Sequence, residues 1–233
     1  LRPHEFVQLR ELPLFSGMAL ENLERLLDAA LLQQFPAGVV LIREGAQADF
    51  LHVLVDGLVE IFFAEQDGGE WGISLIHPVS TFILAAVVVE QPYLNSVRTL
   101  TESRVLLIPA IRVRELFDKD VAFARAIARE LALAYRSSVK KLKGYMARSS
   151  VERLANWILT EAQTGTHHSN VVIPFDRGTL ASHIGTTRES LSRNLAHLTD
   201  HGVRIRGREI VIDDHDKLAL FARPQRFIDD PES

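Results

Sequence analysis

Apolar residues along this chain change their spacing twice. From about residue 30 to residue 110 they fall into short runs, Val39–Arg43, Leu51–Val55, Val59–Ala64, Trp71–His77 and Arg104–Pro109. Between them stand Phe35-Pro-Ala-Gly38, Arg43-Glu-Gly45, Asp56-Gly57 and Asp67-Gly-Gly69. Short apolar runs bounded by glycine and proline turns read as strands, and many of them in series predict a double-sheet roll. Helical spacing precedes the roll at Glu5–Leu12 and Ala19–Ala30.

Near residue 120 the period lengthens. Val121 to about Tyr145 has no Gly or Pro before Gly144, and Ala124, Ile127, Leu131, Ala134, Ser138 and Tyr145 recur at near-heptad spacing. A narrow seam with small residues predicts a long helix that pairs with its copy across a two-fold axis, with Ile127, Leu131, Ala134 and Ser138 in contact. Phe123, Leu133, Tyr135 and Leu142 lie on other faces, available to line the roll.

A third pattern follows. Leu180, Ala181 and Ile184 form one apolar stripe, Gly185 supplies a turn, and Leu191, Leu195 and Leu198 continue the stripe at helical spacing. That is a helix-turn-helix. Arg188, Glu189, Ser192 and Arg193 occupy the opposite face, where Arg can bind guanine bidentately and Glu can accept from cytosine N4. Thr186-Thr187-Arg188-Glu189 also fits a capping box, in which Glu189 would bond the backbone of Thr186 and touch no base. Beyond the helices, Gly202–Ile212 alternates apolar and polar residues on either side of Arg206-Gly207-Arg208, as a β-hairpin does. A helix-turn-helix followed by a hairpin is a winged helix. The fold class expected is therefore α+β: a roll acting as sensor over residues 1–118, a central dimerisation helix over 119–146, and a winged helix over 147–233.

Charge sharpens this locally. The chain as a whole is acidic, 26 Lys and Arg against 30 Asp and Glu. Within residues 177–208, six arginines (Arg177, Arg188, Arg193, Arg204, Arg206, Arg208) stand against Glu189 and Asp200, a net of +4. A compact basic face suffices for phosphate contacts, so Thr187, Arg177, Arg206 and Arg208 join the recognition residues as candidates for binding double-stranded DNA. Asp213-Asp214-His215-Asp216 reads as surface outside that footprint. There is no cysteine, which excludes disulfides, a thiolate switch and a cysteine-ligated iron–sulfur cluster. No apolar run reaches the length of a membrane span and no signal-peptide pattern opens the chain, so the expectation is a cytoplasmic protein without a membrane partner. No phosphate loop, nucleophile motif or convergent set of acids and bases appears, and His167-His168 sit in a polar loop, so an enzyme is not expected.

The pattern Gly38-Val-Val-Leu-Ile-Arg-Glu-Gly45, then Val55-Asp-Gly57-Leu-Val-Glu-Ile61, a long helix, and Thr187-Arg-Glu-Ser-Leu-Ser-Arg193 resembles the family of the cyclic-AMP receptor protein and the fumarate–nitrate reduction regulator over nearly the whole chain. The resemblance implies a homodimeric transcription regulator that meets RNA polymerase. It matches Glu189, Ser192 and Arg193 to the residues with which the fumarate–nitrate branch reads a TTGAT-like half-site, and Arg188 to an additional arginine of the cyclic-AMP branch.

The departures fall in the sensor. Cyclic-nucleotide-binding members carry Gly-Glu near the start of a short helix and Arg-Ser shortly after it. Here Leu84-Ala85 and Tyr93-Leu94 stand in those places. A cyclic phosphate buried without its arginine would be an unpaired charge, so cyclic AMP is not the expected effector. The apolar stretch Phe82–Val89 suits a hydrophobic ligand or a filled core, with Phe82, Leu84, Tyr93, Leu94 and Tyr135 as candidate lining. Pro92-Tyr93 and the lack of cysteine are similar to the branch that regulates denitrification in response to nitric oxide, some members of which bind haem. Three alternatives stay open for the signal: an unidentified non-nucleotide effector, haem and a gas with His4, His52 or His77 as axial ligand, or a cyclic nucleotide in an atypical pocket.

Overall fold

Two four-stranded antiparallel sheets form the first part of the molecule. The computed structural model describes residues 9–65, 68–164 and 169–230. One sheet has the order β1 (Leu31–Phe35), β8 (Ser103–Pro109), β3 (Phe50–Asp56), β6 (Ser80–Phe82). The other has β2 (Val40–Ile42), β7 (Ser96–Thr99), β4 (Val59–Ala64), β5 (Glu70–Ile76). Five of these eight strands coincide with the apolar runs, and β1, β6 and β7 are additions. β3 is buried on both faces, since Leu51 and Val53 alternate with His52 and Leu54 and all four are covered. Its helical cover comes from α2 (Leu84–Val89) and α3 (Ala110–Lys119), and α1 (Leu20–Asp28) packs on α3. The fold is thus a β-roll dressed with helices, as two stacked antiparallel sheets sharing one core require.

The long helix α4 runs Val121–Ala147. Asp120 caps its start by accepting from the N–H groups of Ala122 and Phe123 at 2.9 and 3.0 Å. These bonds and one from Asn22 hold the Asp120 carboxyl below its usual range, the Phe123 bond most of all. The chain divides into two compact units, with α4 residues to Tyr135 in the first and those from Arg136 in the second.

On α4 the expected faces are partly exchanged. Phe123 and Ile127 are both fully buried in the core of the first unit, Phe123 stacking on Phe15 at 6.4 Å. Ile127 therefore has no surface to offer a second copy, and its assignment to the seam is corrected. Leu131 is part-buried, Ala134 and Ser138 are exposed, and so are Leu133, Tyr135 and Leu142. Those last three do not line the roll.

The second unit contains α5 (Ser150–Thr164), β9 (Asn170–Val172), α6 (Arg177–Ile184), α7 (Arg188–Thr199), β10 (Val203–Arg206), β11 (Glu209–Ile212), α8 (His215–Ala222) and α9 (Arg226–Asp229). Its sheet has the order β10-β11-β9. Leu154, Ile158, Leu180, Ile184, Leu191, Leu195 and Leu198 are buried together with Val203 and Ile210, so the apolar stripes of both short helices do face one core. Asn156 fastens α5 to the end of α8, donating to the carbonyl of Ala222 at 2.7 Å.

Candidate nucleic-acid interface and sensor

The two short helices are joined by Gly185, which ends α6 at φ 72°. A side chain there would be strained in this left-handed conformation, and its Cβ would stand 2.5 Å from the ring of Tyr145. Asp176 starts α6: its Oδ1 accepts from the N–H groups of Gly178 and Thr179 at 2.6 and 3.1 Å. Burial alone would raise the Asp176 carboxyl, but the bonds from Thr179 and Gly178 and the nearby Arg188 hold it below the usual range.

α7 begins one residue later than a Thr186 cap would place it. Thr187 is the N-cap and accepts from the N–H of Ser190 at 3.2 Å. Ser190 is thus the third helical residue and Glu189 the second, so the capping box does not form. The carboxyl of Glu189 is fully exposed and held below its usual range by its own backbone N–H and the Thr187 hydroxyl, with smaller help from Arg193 and Arg188. It is an exposed anion at a helix N-terminus. Ser192 and Arg193 are exposed on the same helix, and Arg193 donates to Ser190 Oγ at 2.9 Å. Arg188 lies 3.4 Å from Asp176.

Strands β10 and β11 form the wing, paired from Val203↔Ile212 to Arg206↔Glu209. Gly207, at φ 62°, takes the first place of the two-residue turn. Arg206 and Arg208 are exposed beside it, and Arg177 reaches the turn from the first residue of α6, donating to the Gly207 carbonyl at 3.4 Å. Arg177, Arg206 and Arg208 thus gather at the wing tip, while Arg188, Glu189, Ser192 and Arg193 present the exposed side of α7. Arg204 is different: it pairs with Asp213, which removes one cation from the expected basic face.

Residues 32–120 match the family described as Cyclic nucleotide-binding domain, and residues 152–221 match Crp-like helix-turn-helix domain. The chain belongs to the CRP/FNR family. Among its relatives is the cAMP-activated global transcriptional regulator Vfr of Pseudomonas aeruginosa, 24% identical over 201 residues, 83% of this chain and 94% of that one. Among solved structures, FixK2 from Bradyrhizobium japonicum is similar at a TM-score of 0.73 and 20% identity, covering 82% and 96% of the two chains. DNR from Pseudomonas aeruginosa is similar at a TM-score of 0.52 and 22% identity, covering 95% and 98%. As a CRP/FNR family member the chain is a DNA-binding transcriptional regulator. Among the described residues no helix is long and apolar enough to cross a membrane.

In the region that matches a cyclic nucleotide-binding domain, Arg114 reaches the end of α2 but is engaged there by the Val87 carbonyl at 3.3 Å and by Glu90 at 3.2 Å. From Ser80 to Val97 there is no Lys or Arg, and α2 is built wholly of Leu, Ala and Val. The nearest cation along the chain, Arg98, is engaged by Glu60 at 2.8 Å and Glu70 at 2.5 Å. Phe82, Leu84 and Tyr93 are buried, and Tyr93 Oη donates to the Phe50 carbonyl at 2.8 Å. Leu94 and Tyr135 are 81% and 71% exposed, so neither lines a pocket within one chain, and their assignment is revised. An open cleft of about 530 Å³ lies elsewhere, between α1 and α3, edged by Arg25, Arg112 and Lys119.

The histidines separate. His52 is buried, its ring 5.3 Å from that of Phe82 and 6.3 Å from that of Tyr93, and its Nδ1 has no hydrogen-bond partner. A macrocycle bound to it would have to displace both rings. His77 is exposed, and His4, like His167 and His168, lies outside the described residues. Among the described residues no group of three or more potential metal ligands converges.

Sequence reasoning missed Asp176 as the partner of Arg188, although Asp before Arg-Gly-Thr-Leu is a recognisable N-cap signal. It also placed Tyr145 in the helix seam, whereas the Tyr145 hydroxyl donates to the His183 carbonyl at 3.1 Å.

Proposed function

We propose that this regulator works as a homodimer on a palindromic site of TTGAT-like half-sites, with Glu189, Ser192, Arg193 and Arg188 facing base edges and Thr187, Arg177, Arg206 and Arg208 placed toward the backbone. The observation that carries the reading is the exposed polar face of α7 beside three arginines at the wing tip, on a unit that buries the apolar stripes of both short helices. Base edges supply specificity and phosphates supply position and affinity. The dimer is supported by the stripe Leu131, Tyr135, Ser138 and Leu142 on α4, which is spaced at three and four residues and has an exposed apolar part. Ala134 flanks it.

The signal is not a cyclic nucleotide on this reading, because the arginines nearest α2 are already engaged, Arg114 by the Val87 carbonyl and Glu90 and Arg98 by Glu60 and Glu70, and an anionic phosphate there would have to break those pairs. Its location is taken to be the cytoplasm, and RNA polymerase is the partner a regulator of this kind would meet there. Fluorescence anisotropy on a labelled TTGAT palindrome, at fixed salt and with or without cyclic AMP, tests both parts. The expected result is specific binding relative to a scrambled duplex, unchanged by cyclic AMP. Equal affinity for both duplexes removes the half-site assignment, and a gain with cyclic AMP removes the sensor assignment.

A further inference from the structure

Both ends of Arg148 are in use. Its guanidinium donates Nη1 and Nη2 to Oδ1 and Oδ2 of Asp229 at 2.6 Å each, with the two side chains only 7% and 17% exposed. Its carbonyl accepts Nη1 of Arg153 at 2.7 Å. Arg153 then spans to the end of α6, donating Nε to the Ile184 carbonyl at 2.8 Å and Nη2 to the Gly185 carbonyl at 3.0 Å. The last carbonyls of a helix lack partners within it and carry partial negative charge, so a guanidinium is well suited to them. Tyr145 completes the arrangement: its ring lies 4.9 Å below the Arg153 guanidinium, and its hydroxyl holds His183.

The C-terminal segment binds the same place. Lys140 donates Nζ to the Asp230 carbonyl at 2.8 Å. Ile228 reaches the face of Gly144, where an added Cβ would be in van der Waals contact at 3.8 Å. The N–H of Gln225 donates to Asp229 Oδ2 at 2.6 Å, fixing the carboxylate that Arg148 grips. Residues 225–230 thus hold the last turns of α4 and its exit into α5. Of the residues in this chain of contacts, Arg153 falls within the matched helix-turn-helix region, which spans 152–221, while Tyr145, Arg148 and Asp229 lie outside it.

We propose that Tyr145, Arg148, Arg153 and Asp229 are positioning residues for DNA recognition. The C-terminal segment clamps the junction between α4 and α5, and the clamp passes through Arg153 to the turn that aims the recognition helix. The proposal rests on the reading of the chain as a dimer on a palindrome. In such a dimer each recognition helix hangs from its own α4, and play at residues 147–149 becomes error in the separation of the two half-sites. A bidentate pair with little solvent access resists that play, and removing one partner leaves the other charge uncompensated.

The test uses the full chain and duplexes whose half-site spacing is optimal, or longer or shorter by one or two base pairs. Asp229→Asn and Arg148→Met are each expected to bind the optimal duplex about tenfold more weakly and to lose most of the preference for it over the shifted ones. Tyr145→Phe, which removes one hydroxyl and is the variant least able to disturb the fold, is expected to weaken the preference in part. Charge exchange in Arg148→Asp with Asp229→Arg is expected to restore it. Uniform weakening at every spacing, with the preference intact, would assign the pair a structural role only and overturn the proposal. Absence of any spacing preference in the unaltered protein would instead overturn the dimer reading, and the proposal with it.

Discussion

The guanidinium of Arg188 lies over the Cα of Gly178, so close that any side chain at 178 would collide with it. Asp176 holds it there from 3.4 Å, and both partners are largely exposed. A recognition-helix arginine is thus drawn back toward α6 by the residue that caps that helix. On the proposed reading, DNA must compete for it.

This gives the first prediction. Asp176→Asn keeps an equally good N-cap and removes the charge, so Arg188 becomes free for DNA. Because exposed ion pairs contribute little, the gain in affinity is expected to be modest, about twofold to fivefold, with a steeper dependence on salt. Unchanged affinity and salt slope would show that Asp176 does not restrain Arg188. Gly178→Ala should displace the guanidinium without harm to the fold, since the colliding group is the end of a flexible side chain.

Arg193 and Arg204 provide a contrast. Arg193→Ala is expected to weaken specific binding by about 1–3 kcal/mol per half-site and to relax discrimination at one G·C pair. Arg204→Ala is expected to change little, because Asp213 already engages that side chain. Binding measured on a panel of single-base variants of the palindrome separates the two. Equal effects of both substitutions, uniform across the panel, would show that Arg193 contacts phosphate and reads no base.

The dimer can be tested without touching the core. Leu142 is exposed on α4 and lies on the stripe with Leu131, Tyr135 and Ser138. Leu142→Glu should place like charges together across the two-fold axis and shift sedimentation toward monomer, with operator affinity falling in parallel. Leu131 is a poorer choice, since it is part-buried against its own unit. A variant that sediments as a dimer would rule this stripe out as the seam.

Much of the architecture was legible in the chain because its patterns are local. Val59–Ala64 is a strand in both readings, and the stripes from Leu180 to Leu198 face the core as their spacing requires. What escaped is short or distant. β1, with Gln33 and Gln34, is an exposed edge strand, and β6 has three residues. Neither contains enough apolar positions to show a period. The apolar stretch from Leu84 reads as ligand lining or as filled core alike, and only the folded chain shows Leu84, Ala86 and Val87 of this helix buried in the core. Heptad spacing around Ile127 announces a buried face without saying whose core buries it. The recognition residues were visible by type, but the contact of Arg188 with Gly178 and the pairing of Arg148 with Asp229, 81 residues apart, exist only once the chain is folded.

The last prediction concerns His52. Burial pushes its pKa down to about 4 from an ordinary 6.5, with the nearby Phe50 backbone opposing the shift in part. The native state therefore keeps this imidazole neutral over a range in which the unfolded chain protonates it. The sign follows from linkage: stability is fully present above about pH 6.5 and falls as pH drops toward 4, because the unfolded state binds the proton more tightly. A shift of this size corresponds to about 3 kcal/mol in all, of which about 2 kcal/mol is lost by pH 5. His52→Leu should remove that part of the acid sensitivity. Urea unfolding at about pH 7.5 and about pH 5 is the measurement, and the quantity compared is the drop between the two, since the substitution changes packing beside Phe82 and Tyr93 at both. An equal drop in the two proteins would mean that His52 titrates normally in the fold. Its ring would then be reached by water, contrary to its place between those aromatic neighbours.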